Sequence, residues 1–369
     1  MSENNNSLLY LIAITMIPGI GNTNAKKLIS WIDSPEALFR EPEAHIMKIP
    51  GMPKILSQGM NRKDLLLRAE KEFNFILSSG ISSLYFYDDD YPERLKHCAD
   101  SPLILYYKGI DNISHKRVLA VVGTRKATSY GYRMCEEIIQ DFRHDDILIV
   151  SGMAYGIDSC AHQKALANGI STVGILAHGL DRIYPQANRN MARRMLDTGG
   201  LITEFMSETN PDRENFPKRN RIIAGMSDAV LVVESKTKGG AVITADIAHS
   251  YNRDVFAVPG RSHDEFSDGC HLLIRRNIAA LARSADDIKY SMGWEGKEKL
   301  KQNKLEILND HSEDEQKVLS IIIDKDRASI DEIVLISGLG ASTTASILLK
   351  LEFSGVISGL PGKMYEVRR

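Results

Sequence analysis

Cysteine is scarce in this chain: its 369 residues hold only Cys98, Cys135, Cys160 and Cys270. No CxxC pair and no Cys/His cluster at metal-ligand spacing occurs, which excludes a zinc module and a disulfide framework and points to reduced thiols in the cytosol. Long hydrophobic runs are missing too. No uninterrupted apolar stretch approaches the ~20 residues that cross a bilayer, and the opening Met-Ser-Glu-Asn-Asn-Asn has no cationic region followed by an apolar one. A soluble, cytoplasmic protein without a membrane partner is therefore expected. An excess of one charge is also absent: the formal net charge is -2, so affinity for any polyelectrolyte must rest on local patches. No Walker A, GxSxG or HExxH sequence is present, which removes most of the case for P-loop, α/β-hydrolase or zincin chemistry. Neither a cofactor nor a metal is expected.

What is present has the composition of a multidomain globular chain, 43% hydrophobic and 25% charged. Residues 1–82 have a helical texture. Leu8, Leu9, Leu11, Ile12 and Ile14 lead into Ile17-Pro-Gly-Ile-Gly21 and then into Asn24-Ala-Lys-Lys-Leu-Ile-Ser-Trp31. Glycines at 19 and 21 allow a sharp turn and expose N–H groups at the second helix's start, a helix-hairpin-helix (SAM-like) signature suited to a phosphate. Ile49-Pro-Gly-Met-Pro53 is a weaker echo, with Pro53 in place of the second glycine. A small helical cap without DNA contact is the alternative.

Residues 83–292 alternate β-rich runs at 118–122, 147–150, 172–176, 200–203, 229–233 and 254–258 with amphipathic stretches, the pattern of an α/β doubly wound parallel sheet. The runs end in Gly123-Thr-Arg125, Ser151-Gly152, Ala177-His-Gly-Leu-Asp181, Glu204, Glu234 and Pro259-Gly260. Ligands bind beyond the carboxyl ends of such strands, so these turns are expected to converge. A polar linker is expected at 293–312. Beyond it, helical runs at 315–324, 330–337 and 342–354 and a hairpin turning at Pro361-Gly362 predict a winged helix at 313–369. From residue 312 to 369 there are 7 Lys and Arg against 9 Asp and Glu, 7 - 9 = -2, which favours a partner-binding or regulatory module over groove reading.

The stretch Phe216-Pro-Lys-Arg-Asn-Arg-Ile-Ile-Ala-Gly-Met-Ser227 sets the three cations Lys218, Arg219 and Arg221 beside an aromatic ring, with no acid among them. Cations for phosphates and a ring for bases are what single-stranded nucleic acid requires; a solvated charged loop is the other reading. Ser151-Gly-Met-Ala-Tyr-Gly-Ile-Asp158 is a strand-to-helix turn, neither GxGxxG nor a P-loop, whose glycines admit an anion and whose Asp158 is a candidate N-cap. His162 is a helix histidine facing a loop, or else a general base. Glu204 and Glu234 are strand-end carboxylates that either bond loop amides or serve as acids of a glycosidic reaction.

In seven ordered motifs the span 90–289 resembles the DNA-processing protein A family (DprA, also called Smf). They are Gly123-Thr-Arg with Ser129-Tyr-Gly131, the 151–158 turn with Ala161-His162, Gly179-Leu-Asp-Arg-Ile-Tyr-Pro185 with Asn188, and Phe216 to Gly225. Val242-Ile-Thr-Ala245, Arg253-Asp-Val-Phe-Ala-Val-Pro-Gly260 and Gly269-Cys-His-Leu-Leu-Ile274 complete the set. The resemblance implies a Rossmann-like domain that binds single-stranded DNA without turnover, forms a homodimer, and helps load the recombinase RecA in natural transformation. By position, Arg125 in the Gly123-Thr124-Arg125 turn would reach a phosphate, and amides from Ser151 and Gly152 to Gly156 would line the pocket. Lys218, Arg219, Asn220 and Arg221 would track the strand and Phe216 would stack a base. His271, Ile274, Ile278 and Leu281 would form the dimer interface. Three positions depart from the family pattern: Lys238-Gly-Gly replaces a Ser-Gly-Ser run, Arg189 a histidine, and Asn277 a glycine. The competing function is a nucleotide-processing enzyme that cleaves an N-glycosidic bond with Glu204 or Glu234. A third is an assembly adaptor.

Overall fold

A computed structural model of the chain describes residues 3–40, 61–110, 113, 115–295, 311–325 and 327–367. The hairpin echo at 49–53 and most of the expected linker lie outside these residues. Two compact units result, residues 1–288 and 289–369.

The first unit is built on one sheet of β1 (Ser82–Tyr85), β2 (Ile104–Gly109), β3 (Arg117–Val122), β4 (Ile147–Ser151), β5 (Ser171–Ile175), β6 (Gly200–Thr203), β7 (Ala229–Val232), β8 (Asp254–Ala257) and β9 (Ala280–Leu281), in the order β1-β2-β6-β5-β4-β3-β7-β8-β9. The six runs read from sequence are its parallel centre. Their near-continuous apolar composition follows from helices covering both faces, as Leu119, Ile149, Val173, Val230 and Ala257 show by complete burial. The sequence reading missed the edges. The two-residue β9 pairs parallel with β8, whereas β1 and β2 run antiparallel, β2 along β6 with Tyr106 opposite Thr203. An apolar run such as Ile104-Leu-Tyr-Tyr carries no signal of direction; only its position between the sheet and the N-terminal helices fixes it.

Those helices, Glu3–Thr15, Asn22–Ile29, Ala37–Arg40 and Arg62–Ser79, bury Ile12, Ile14, Leu28, Leu38, Phe73 and Ile76 against Leu103, Ile104 and Tyr106. The helical segment thus shares a core with the sheet edge. Gly19, at φ 78, makes the turn of the predicted hairpin. Asn22 at the hairpin's exit accepts from the Leu103 amide (3.1 Å) and donates to Glu204 (3.3 Å). The hairpin is docked on the sheet.

The second unit is the predicted winged helix. Helices Glu313–Lys325, Ile330–Ser337 and Ala341–Phe353 enclose Val318, Leu319, Ile322, Ile333, Leu348 and Leu351 beside a three-stranded antiparallel sheet, β10 (Ala328–Ser329), β12 (Met364–Val367) and β11 (Ile357–Leu360) in that order. Ser329 and Glu332 close a capping box on the second helix. Among the described residues of the whole chain no single helix is long and apolar enough to cross a membrane.

Candidate nucleic-acid interface

The strand order reverses between β3 and β7, and the turns leaving these two strands and β4 open a groove there. This is where a doubly wound sheet binds ligands. The turn after β3 is braced from below. Glu234 is 1% exposed and accepts from the Thr128 amide (2.9 Å) and hydroxyl (2.5 Å), while its own carbonyl accepts from the Thr124 amide (2.7 Å). Thr128 in turn caps the helix Ser129–Gln140 by accepting from the Gly131 amide at 3.2 Å. Glu234 is therefore a turn brace, and Arg125 and Lys126 are left exposed at the tip.

The turn after β4 is held by its own backbone geometry. Met153 and Gly156 have φ of 59° and 77°, and a Cβ at Gly156 would overlap the Thr124 carbonyl. Asp158 is not the N-cap the sequence suggested. The helix Ile157–Ala167 is capped by Gly156, and Asp158 folds back to accept from the Ala154 amide at 3.3 Å. Burial raises its pKa against the pull of Arg219. Ser151 is fully buried, its hydroxyl donating to the Val121 carbonyl at 2.6 Å, so it ties β4 to β3.

The basic stretch is a helix, Asn215–Met226, and not a loop. Pro217 lies in its first turn, where a missing N–H costs nothing. About 100° between neighbours then turns Arg219 away from Lys218 and Arg221, which are three apart and share a face. Arg219 is 4% exposed. Its guanidinium donates to the Gly152 carbonyl, to the Ile175 carbonyl (2.7 Å) and to the Asn220 side chain (3.1 Å). A Cβ at Gly152 would overlap that guanidinium. Burial pushes its pKa down to about 10, which leaves it charged. Arg221 donates to the Asp100 carbonyl (2.5 Å) and ion-pairs with Glu204. Lys218 alone of the three is exposed, with no partner among the described residues.

Phe216 is half-buried, with the Arg125 guanidinium over its ring at 4.9 Å and that of Arg219 at 5.8 Å. The structure thus brings Arg125, Gly152, Phe216 and Arg219 to one pocket, and Gly123, Thr124 and Asn220 to the adjoining groove. Lys218, Arg221 and Glu204 line a separate cavity beside the hairpin. His162 is fully buried with Nδ1 2.7 Å from the Thr172 hydroxyl, and burial lowers its pKa to about 3. It is a neutral core residue.

Sequence reasoning missed Lys126 and Lys238, two exposed lysines of the groove, and Tyr155 and Tyr184 at the pocket. In the sequence Lys238 shows only as a departure from the family's Ser-Gly-Ser run. At the far edge of the sheet Leu281 is 47% exposed on β9. Ile274 and Ile278 are half-buried against the core, and the His271 ring nitrogen Nε2 lies 3.2 Å from the Gly260 carbonyl.

A doubly wound sheet with a groove of amides, cations and aromatic rings at its switch point places the molecule in the class of Rossmann-like folds. Residues 82–293 match the family described as DNA recombination-mediator protein A, residues 306–363 the DprA winged helix domain, and residues 11–60 a SAM-like helix-hairpin-helix tandem. The chain belongs to the DNA recombination-mediator protein A family. It is 29% identical to Protein Smf of Synechocystis over 99% of this chain and 100% of that one. To a putative DNA processing protein DprA of Mycobacterium tuberculosis it is 33% identical, over 84% and 82% of the two chains. The crystal structure of DprA from Streptococcus pneumoniae superposes with a TM-score of 0.63 at 34% identity, covering 76% of this chain and 96% of that one. DprA from Helicobacter pylori, whose structure is described for its single-stranded DNA binding mode, gives 0.53 at 25% identity over 57% and 95%.

Proposed function

We propose that this protein binds single-stranded DNA across the pocket and groove at the β3–β7 switch point. In this reading it is a non-enzymatic mediator in the cytoplasm that protects incoming strands and passes them to RecA during natural transformation. The observation that carries the reading is the set of exposed cations, Arg125, Lys126 and Lys238, around an amide-lined turn with aromatic rings at its edge. Backbone amides and cations hold phosphates, and rings accept unpaired bases of any sequence. Lys218 extends the cationic track over the helix Asn215–Met226. Arg219 and Ser151 act beneath the surface, shaping the floor. The open edge of β9 with Leu281 supports a homodimer, which would align two grooves on one strand.

The rival glycosidic enzyme has less support. Glu234 is spent on Thr128, and Glu204 lies in the hairpin cavity, bonded to Arg221 and Asn22. A gel shift of single-stranded against duplex oligonucleotides over a salt series tests the binding reading: a linear fall of log affinity with log salt and a preference for the single strand are expected. Equal affinity for both forms would overturn it. RecA nucleation on a strand precoated with single-strand-binding protein, with and without this protein, tests the mediator role.

A further inference from the structure

We propose that Tyr155 and Tyr184 form a base-stacking clamp at the pocket mouth, gripping unpaired nucleobases while the cations hold phosphates. The clamp rests on the single-stranded-DNA reading above and names what in that ligand the pocket recognises.

Tyr155 is 51% and Tyr184 47% exposed, and both line the pocket that holds Arg125 and Phe216. Neither phenol has a hydrogen-bond partner among the described residues. Single exposed aromatics are ordinary on a protein surface; two on one pocket rim, each on a loop pinned by a buried polar side chain, are not accounted for by packing. His178, 1% exposed, pins the Tyr184 loop. Its Nε2 accepts from the Tyr184 amide (3.3 Å) and its Nδ1 donates to the Gly179 carbonyl (2.9 Å), which fixes a neutral ring with the proton on Nδ1. Asn188, 5% exposed, pins the Tyr155 loop by donating to the Met153 carbonyl (2.8 Å) and the Ser159 hydroxyl (2.9 Å). The Ser159 hydroxyl donates to the Ala154 carbonyl at 2.5 Å. Loops held this way lose little backbone entropy when a base stacks on their tyrosines.

Phe216, the stacking residue expected from the sequence, is less available. A guanidinium already lies over its ring at 4.9 Å, so its face serves to place Arg125. The tyrosines are the open faces. A clamp of this kind requires bases turned out of a duplex, and it makes no hydrogen-bond demand on which base enters. It therefore supplies strand-state selectivity without sequence selectivity.

The test compares a thymidine oligonucleotide with an abasic strand of the same length and charge, titrated by anisotropy against wild type, Tyr155→Ala, Tyr184→Ala, the double variant and the Tyr→Phe pair. We expect each alanine to weaken binding to the thymidine strand by roughly 5- to 100-fold, leave the abasic strand and the salt slope unchanged, and the phenylalanine pair to restore affinity. A strand carrying 5-iododeoxyuridine, irradiated on the wild type, should crosslink to peptides containing Tyr155 or Tyr184. The crosslink carries the test if an alanine variant does not fold. A wild type that binds no single strand defeats the DNA reading and the clamp together. Binding that the double variant leaves intact, or a crosslink at Phe216 alone, overturns the clamp and leaves the DNA reading standing.

Discussion

Arg221 and Glu204 form an ion pair at the carboxyl end of β6, with side chains 13% and 11% exposed. The pair is the reason why two cations three residues apart on one helix have different expected roles. Lys218 is free to meet a phosphate; Arg221 compensates a carboxylate that burial holds above its usual pKa. Lys218→Ala should weaken binding to every sequence alike and lower the salt slope by roughly 0.7, with the melting temperature unchanged. Arg221→Ala should instead cost about 3 kcal/mol of stability by stranding Glu204. Paired melting curves and salt-dependent isotherms separate the two; equal loss of slope in both variants would restore Arg221 to the strand track.

That difference shows how far the sequence is legible. The parallel centre, the winged helix and the motif order were readable because strands buried on both faces and helical periodicity leave local patterns. The helical state of the basic stretch is hidden in the sequence, because a proline in a first turn looks like a proline in a loop. Once it is a helix, angular spacing puts Arg219 underneath, and no local signal marks Gly152 and Ile175 as its acceptors. The direction of β2 depends on its pairing with β6, over ninety residues further along the chain, and the role of Glu234 on a brace to Thr124 and Thr128 across two strands. Tyr155 and Tyr184 stood inside motifs already read for their glycines and proline, so their exposure was invisible.

The Arg125–Phe216 contact predicts non-additivity. A cation over a ring is worth about 0.5 to 2 kcal/mol depending on exposure. Phe216→Ala should reduce DNA affinity chiefly by releasing Arg125, so the Phe216→Ala/Arg125→Ala double variant should lose less than the sum of the single losses. Independent, additive losses would mean that Phe216 contacts a base itself.

Acid stability should follow His162. Its folded pKa is about 3, against ~6.5 in an unfolded chain, so between these values the unfolded state binds the extra proton and stability rises with pH. Residues 1–288 should lose about 1.4 kcal/mol per pH unit from this group as pH falls below ~6. Burial lowers the pKa of His178 as well, which adds loss in the same direction. Urea melts at pH 7.5, 6.0 and 5.0 check the slope, and His162→Gln should flatten it. An unchanged slope would place the titration elsewhere.

Self-association should run through the β9 edge. Leu281 is 47% exposed on β9, and Ile274 and Ile278, shortly before it in the chain, are only half-covered by the core. Leu281→Glu should give a folded monomer with a selective loss of affinity for long strands over short ones, since one groove then replaces two. Ile274→Glu should do the same with some loss of stability. Sedimentation that finds the wild type monomeric at micromolar concentration would remove the dimer from the proposal.

Catalysis is the last matter the geometry bears on. A glycosidic reaction needs a carboxylate facing the bound sugar; both oxygens of Glu234 are engaged under the β3 turn, and Glu204 is buried with its Oε2 bonded to Arg221 and Asn22. Backbone amides and protonated lysines hold an anion, and an ammonium group has no lone pair with which to attack. Incubation with nucleoside monophosphates, ATP and single-stranded DNA should therefore yield no free base, no ADP and no shortened strand. Glu204→Gln should alter stability and leave strand binding within about twofold, because Glu204 lies in the hairpin cavity apart from the pocket. Turnover by the wild type that vanishes in Glu204→Gln or Glu234→Gln would replace the mediator by an enzyme.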